Sequence, residues 1–145
     1  EIVGGIDRIK ELYEKQKWFF PIAKEEICVN HRKKNCYSWY IFPTTHNGGV
    51  NPVRTNINNE EEARILLQLY DYNKTAYLLT SWLEIIEAVA DYPDSIPKEE
   101  DKGRAFHFAK QWIKYTNSVN PEKNIPATLY KGFYAPLNTF LSKYR

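Results

Sequence analysis

The sequence is poor in the features that announce a function at once. It holds two cysteines, Cys28 and Cys36, too few for the disulfide framework that staples small secreted domains, so a reducing, cytoplasmic setting is expected. No charge of one sign prevails, since 20 basic side chains face 18 acidic ones for a formal net charge of +2. So close a balance gives no field strong enough for nonspecific attachment, and neither nucleic acid nor a membrane surface is an expected partner. No apolar run reaches the length of a membrane span, and Glu1 to Lys10 lack the charged-then-apolar plan of a secretory signal. Internal repeats, low-complexity tracts and period-two alternation flanked by turns are also missing, which argues against a strand-built fold. Gly48 and Gly49 are followed by no Lys-Ser/Thr pair, so Thr45 to Gly49 reads as a turn and not as a phosphate loop. Asn73-Lys74-Thr75 fits the glycosylation acceptor pattern, a triplet that an Asn-rich chain produces by chance.

What remains is enough for one core. A chain of 145 residues has the size of a single domain, and 43% hydrophobic against 26% charged residues separates it from a disordered segment. Aromatics reach 15%, with 11 Tyr, 7 Phe and 4 Trp, side chains that suit half-buried positions and ligand-facing walls.

Helical periodicity accounts for most of the chain. Ile6, Ile9, Leu12 and Tyr13 share one side of a helix expected to end near Lys17, where Trp18-Phe19-Phe20-Pro21 marks a break and Pro21 opens a second helix to Val29. Thr44 to Asn59, rich in Asn, Gly and Pro, reads as the longest loop. Asn59 is placed as an N-cap before Glu60, Glu61 and Glu62, with Ala63, Leu66, Leu67 and Tyr70 as the buried stripe. Leu78, Leu79, Trp82, Ile85, Ile86 and Val89 predict a helix over Thr75 to Ala90, and Pro97 opens the way to a central one through Arg104 to Tyr115. Pro136 begins the last, carrying Leu137, Phe140, Leu141 and Tyr144. The expected fold is therefore all-α, a compact multihelical single domain over 1–145 with a short buried central segment around Tyr37 to Phe42, whose apolar run is too short for periodicity to choose between strand and helix.

The most informative stretch is His31 to Pro43, in which His31, Arg32, Lys33 and Lys34 precede Tyr37, Trp39, Tyr40 and Phe42. Cations neutralise phosphate and aromatic faces stack on bases, so the mixture suits a flat anionic ligand; equally, the cations complement a helix end and the aromatics fill a core. Lys33-Lys34-Asn35-Cys36-Tyr37-Ser38-Trp39-Tyr40-Ile41-Phe42-Pro43 resembles the signature of domain-of-unknown-function family 1810, small bacterial proteins in which Arg-Lys-x-x-His-Trp-Met-Trp-Phe-x-Phe-Pro-Gln is typical. Ile6-Asp7-Arg8-Ile9 is similar to that family's opening Leu-x-Arg-Phe helix, Glu61-Glu62-Ala63-Arg64 to its Asp-Glu-Ala-Arg, and Arg104 to Phe108 to its Lys-Phe-x-Ser segment. The resemblance implies a multihelical fold with a buried segment at the signature, and no activity. Departures fall on polar positions: Cys36 stands for the family's His, Tyr37 for Trp, Ser38 for Met and Thr44 for Gln.

Three other groupings bear on chemistry. Cys28, His31, Cys36 and His46 have zinc-compatible types but no standard spacing, and no metal or cofactor is expected. Cys36 is a candidate nucleophile beside Lys33 and Lys34, with His46 and His107 as candidate bases, although a packed, inert thiol is the commoner fate of a free cysteine. Arg104, His107, Gln111 and Lys114 recur at helical spacing and share a face that would serve as a polar pocket wall or as a solvated surface, with His107 a proton carrier. The leading expectation is a domain that binds a small phosphorylated or nucleotide-like ligand in a pocket between the signature and the Phe106 to Tyr115 helix. Lys34, Tyr37, Trp39, Thr44, Arg54, Arg104 and His107 are its candidate ligand contacts. The alternatives are an enzyme acting on such a ligand through Cys36, His46 or His107, and a module contacting a protein through Trp18, Phe19 and Phe20 or nucleic acid through Lys33 and Lys34.

Overall fold

In a computed structural model, which describes residues 5–44, 56–57, 59–117 and 127–144, the first amphipathic stripe runs further than its sequence signals suggest. Ile9, Leu12, Tyr13, Gln16, Phe20 and Ala23 are all buried on one face of α1, Gly5–Ala23. The break expected at Trp18 to Pro21 does not occur; Pro21 lies inside the helix with its ring exposed. An interior proline costs about 3 kcal/mol through a lost hydrogen bond and a crowded carbonyl. Phe20 is fully buried and packs on Trp82 with ring centroids 6.0 Å apart, a burial that returns about 1.5–3 kcal/mol, and Ile27 is buried beyond the proline. Long-range packing thus overrides the local stop signal. The separate helix expected from Pro21 is the continuation of α1, wound more loosely as a π-helical turn over Lys24–Val29, a form that absorbs an interrupted hydrogen-bond ladder.

After a basic loop, the ambiguous segment resolves as one helical turn, α2, Ser38–Ile41. The N-cap expected at Asn59 is present, its Oδ1 accepting the Glu62 amide at 2.9 Å, and it opens α3, Glu60–Tyr72. Helix α4, Ala76–Asp91, buries Leu79, Trp82, Ile85, Ile86 and Val89 as the periodicity requires. A single 3-10 turn at Pro93–Ser95 leads to α5, Glu99–Asn117, with acidic residues in its first turn. The last helix, α6, covers Ala127–Tyr144 and carries Pro136 inside it. Pro136 is therefore not its start; a proline suits a first turn, but that preference cannot exclude helical turns already formed ahead of it.

No strand occurs among the described residues, and the fold is all-α. No described helix is long and apolar enough to cross a membrane. Helix α6 packs across α5 and α4, while α1 meets α2, α3 and α4. Trp82 is the hub: Phe20, Tyr70, Phe108 and Trp112 surround it with ring centroids at 5.3–6.4 Å, so a good part of the aromatic enrichment is core.

Candidate functional site

The basic loop is built around a carboxylate that the sequence reading did not single out. Glu26 projects from the π-helical turn, nearly buried, and accepts the amides of Lys34 at 2.6 Å and Asn35 at 3.0 Å, the Tyr37 hydroxyl at 2.7 Å and the Asn35 side-chain amide. Burial alone would raise its carboxyl, but the Lys34 and Asn35 amides, the Tyr37 hydroxyl and the Asn35 side chain outweigh burial, and the net shift is downward. Burial, followed by the bond to Glu26, pushes the Tyr37 phenol far up. Lys33 lies against the Tyr37 ring, 4.7 Å from its centroid, and pairs with Asp101 at 3.0 Å, whose other oxygen accepts Ser38 at 2.8 Å.

This geometry sorts the candidates in the loop. Tyr37, proposed as a pocket wall, is wholly buried with its hydroxyl spent on Glu26. Lys34 contributes its backbone amide to the same carboxylate, and its side chain is exposed. Trp39 faces outward at 38% exposure, and Cys36 is an exposed thiol. The Cys28 thiol, half-buried, points to the Glu84 carbonyl at 3.7 Å while the His31 ring stacks on Tyr92 at 4.0 Å. Among the described residues no group of His, Cys, Asp and Glu is arranged to hold a metal ion.

Beyond α2 the chain becomes irregular inside the core, where an unpaired carbonyl would cost about 1–3 kcal/mol. Each successive carbonyl is met by a side-chain donor from a helix. Gln16 of α1 donates to Tyr40 at 2.9 Å, Trp82 of α4 to Ile41 at 3.0 Å, Arg104 of α5 to Phe42 at 3.0 Å and Trp112 of α5 to Pro43 at 2.7 Å. The Thr44 carbonyl then accepts the Ile57 amide at 3.2 Å. Gln16 also accepts the Tyr70 hydroxyl at 2.7 Å, and it stands in the apolar stripe of α1 between Tyr13 and Phe20, a polar interruption that was the legible sign of its role. The contact between the signature and the Phe106 to Tyr115 helix is thus packed core: Phe42 meets Phe108 with centroids 5.6 Å apart. The cavity beside it, lined by Phe42, Val89, Phe108, Leu137 and Phe140 among others, measures about 10 Å³ and is apolar, room for no more than one water. Among the described residues, bulky rings and captured carbonyls occupy the space at that contact.

Two buried polar atoms at the far end of the segment lack partners among the described residues, as do Ser95 Oγ, beside Lys33 at the other end, and Arg64 Nε. Arg104 is buried, 6% exposed, and after its Nε has bonded the Phe42 carbonyl its Nη2 has no hydrogen-bond partner. No ion pair with a carboxylate is formed by Arg104 among the described residues, and burial draws its guanidinium down to about 10. Thr44 is fully buried with its hydroxyl likewise unpartnered. His107, half-buried one turn along α5, is lowered by burial and then by Lys110, Arg104 and Lys114, all of them cations. No acid occurs in the sequence from Pro43 to Asn59 or from Gly103 to Asn117, but burial and then the Arg8-paired Glu62, which the fold brings close, raise the Tyr115 phenol that donates to the Ile57 carbonyl beside Thr44. The candidates His46 and Arg54 lie outside the described residues.

Comparison of the chain with protein-family models, with curated proteins and with solved structures finds no match.

Proposed function

We propose that this protein binds a small phosphorylated or nucleotide-like ligand at the Thr44 end of its buried segment, with Arg104 as the cationic anchor and the Thr44 hydroxyl as a further donor. The observation that carries this reading is the buried guanidinium of Arg104, which among the described residues has no counter-ion and keeps one donor nitrogen unpartnered. Removing a cation from water costs several kcal/mol unless an anion or a full set of acceptors compensates, and one carbonyl is partial compensation. Arginine is also the side chain best matched to phosphate and carboxylate oxygens. The same reading sets the protein in the cytoplasm, where phosphorylated metabolites abound and the free thiols of Cys28 and Cys36 stay reduced. It keeps the resemblance to domain-of-unknown-function family 1810 as a proposal of kinship, supported by the signature residues Tyr40 to Pro43 that the core captures one by one.

A thermal-shift panel of sugar phosphates, nucleotides and dinucleotides tests it. A ligand present at a hundred times its Kd stabilises the native state by about 2.7 kcal/mol, a rise of several degrees for a domain of this size. At least one phosphorylated compound is expected to give that rise in the wild type and not in Arg104→Met; a panel without any response contradicts the reading.

A further inference from the structure

Three consecutive aromatics of α1 have three different fates. Phe20 packs on Trp82 in the core, and Phe19 stacks on Tyr40 with ring centroids 4.9 Å apart and planes 6° from parallel. Trp18 stays 72% exposed. It lies two residues from Gln16 and from Phe20, both buried, and two residues turn a helix by about 200°, so the indole stands on the face opposite the core. Steps of three and four continue that face to Lys15 and Ile22 on either side of Trp18, then to Glu25 where α1 passes into the π-helical turn. Lys15 and Glu25 are exposed and Ile22 is half-buried. Neighbouring charges on α1 are occupied, Glu14 with Lys17 and Lys24 with Glu84, whereas neither Lys15 nor Glu25 forms an ion pair among the described residues.

This stripe is complementary to itself. When two copies of a helix pair antiparallel about a two-fold axis, positions equidistant from the axis face each other. An axis at the level of residue 20 sets Trp18 of one copy on Ile22 of the other, and the same register sets Lys15 on Glu25, each contact occurring twice. A parallel pairing sets Lys15 on Lys15 and Glu25 on Glu25, so charge selects the antiparallel arrangement. Trp is also among the residues that most often anchor the centre of an interface. We infer that the outer face of α1 docks on a second copy of the chain as an antiparallel two-fold dimer, with Trp18 packed on Ile22 and Lys15 paired with Glu25 across the axis. One helix face buries less than the standard interface of about 800 Å² per partner, so the dimer is reversible and forms at high protein concentration. The inference is independent of the reading of Arg104.

Sedimentation velocity on the whole chain tests it. The wild type is expected to move from monomer toward dimer between about 10 µM and about 1 mM, and Trp18→Ala to remain monomeric at the top of that range. Lys15→Glu and Glu25→Lys each set like charges opposite one another twice, and each is expected to weaken association at least about tenfold. In an equimolar mixture of those two variants every facing pair is again of opposite sign, and association is expected to return to the wild-type level. All three substitutions fall on the face away from the core, so the fold is retained. A wild type that stays monomeric throughout overturns the self-docking and leaves the face to a different protein. Dimers that Trp18→Ala leaves intact overturn the assignment of this face, and a mixture that associates no better than either variant alone overturns the antiparallel register.

Discussion

The two ends of the segment from Lys33 to Thr44 are handled in opposite ways. At the first, the buried charges are answered: Glu26 collects four donors, and Lys33 has Asp101. At the second, the buried cation Arg104 has a single described acceptor and Thr44 keeps a silent hydroxyl. Both ends carry the cation-and-aromatic composition that suggested a ligand. The difference teaches that composition marks where polar groups enter a core, while the pairing of those groups shows which of them the fold itself satisfies. Elsewhere the protein shows that it can pair a buried arginine: Arg8 bonds Glu62 and the Asn56 carbonyl, with both charged side chains at 4% exposure or less.

The largest expected effect falls at the clamped end. Asp101→Ala leaves the Lys33 ammonium, whose side chain is 4% exposed, without its charge partner, and removal of one member of a buried pair costs about 3 kcal/mol. The urea midpoint reads this directly, and a loss below about 0.5 kcal/mol would mean that the clamp is ornamental. Next comes the captured backbone between the two ends. Trp112→Phe keeps a ring but orphans the Pro43 carbonyl, for an expected loss of about 1–3 kcal/mol.

Glu26→Gln probes the clamp through pH. The folded carboxyl titrates below its ordinary value of 4.5, so its contribution is fully present above the unfolded value and is lost as pH falls through the folded one. The wild type is therefore expected to lose stability in acid more steeply than Glu26→Gln, the two curves converging at low pH; parallel curves would show that the carboxylate charge contributes nothing. The smallest effect belongs to Cys36→Ser at the exposed tip of the loop, expected to lie within about 0.5 kcal/mol of the wild type.

The helices were legible in the sequence wherever an apolar stripe persisted for several turns, as in Leu78 to Val89, or where a cap had its own chemistry, as at Asn59. The rules that failed were the two proline rules. Pro21 and Pro136 sit inside helices because burial of Phe20, Ile27, Leu137 and Phe140 on their flanks is a long-range effect that a local signal does not carry. Within the signature, the spacing could not tell which aromatics face inward, and Tyr37 and Trp39 lie in the opposite sense to a pocket wall, one buried and one exposed. Glu26 and Asp101 escaped notice since each looks like an ordinary helix acid until the fold brings Tyr37 or Lys33 against it, the latter from 68 positions away in sequence. Arg104, His107 and Thr44 were visible as candidates, through helical spacing for the first pair and through departure from the family pattern for Thr44. That Arg104 Nη2 and the Thr44 hydroxyl lack partners among the described residues was not visible, because pairing is a property of the folded chain.

The measurement that bears most directly on the contrast is a pair of urea and thermal titrations on Arg104→Met, with and without pyrophosphate. Losing the bond to the Phe42 carbonyl and losing an unpaired buried charge act in opposite directions, so the unliganded variant is expected within about 1 kcal/mol of the wild type while the anion-induced rise in Tm disappears. A variant destabilised by about 3 kcal/mol or more that still responds to pyrophosphate as the wild type does would make Arg104 a structural clamp like Lys33, and the contrast between the two ends would fall.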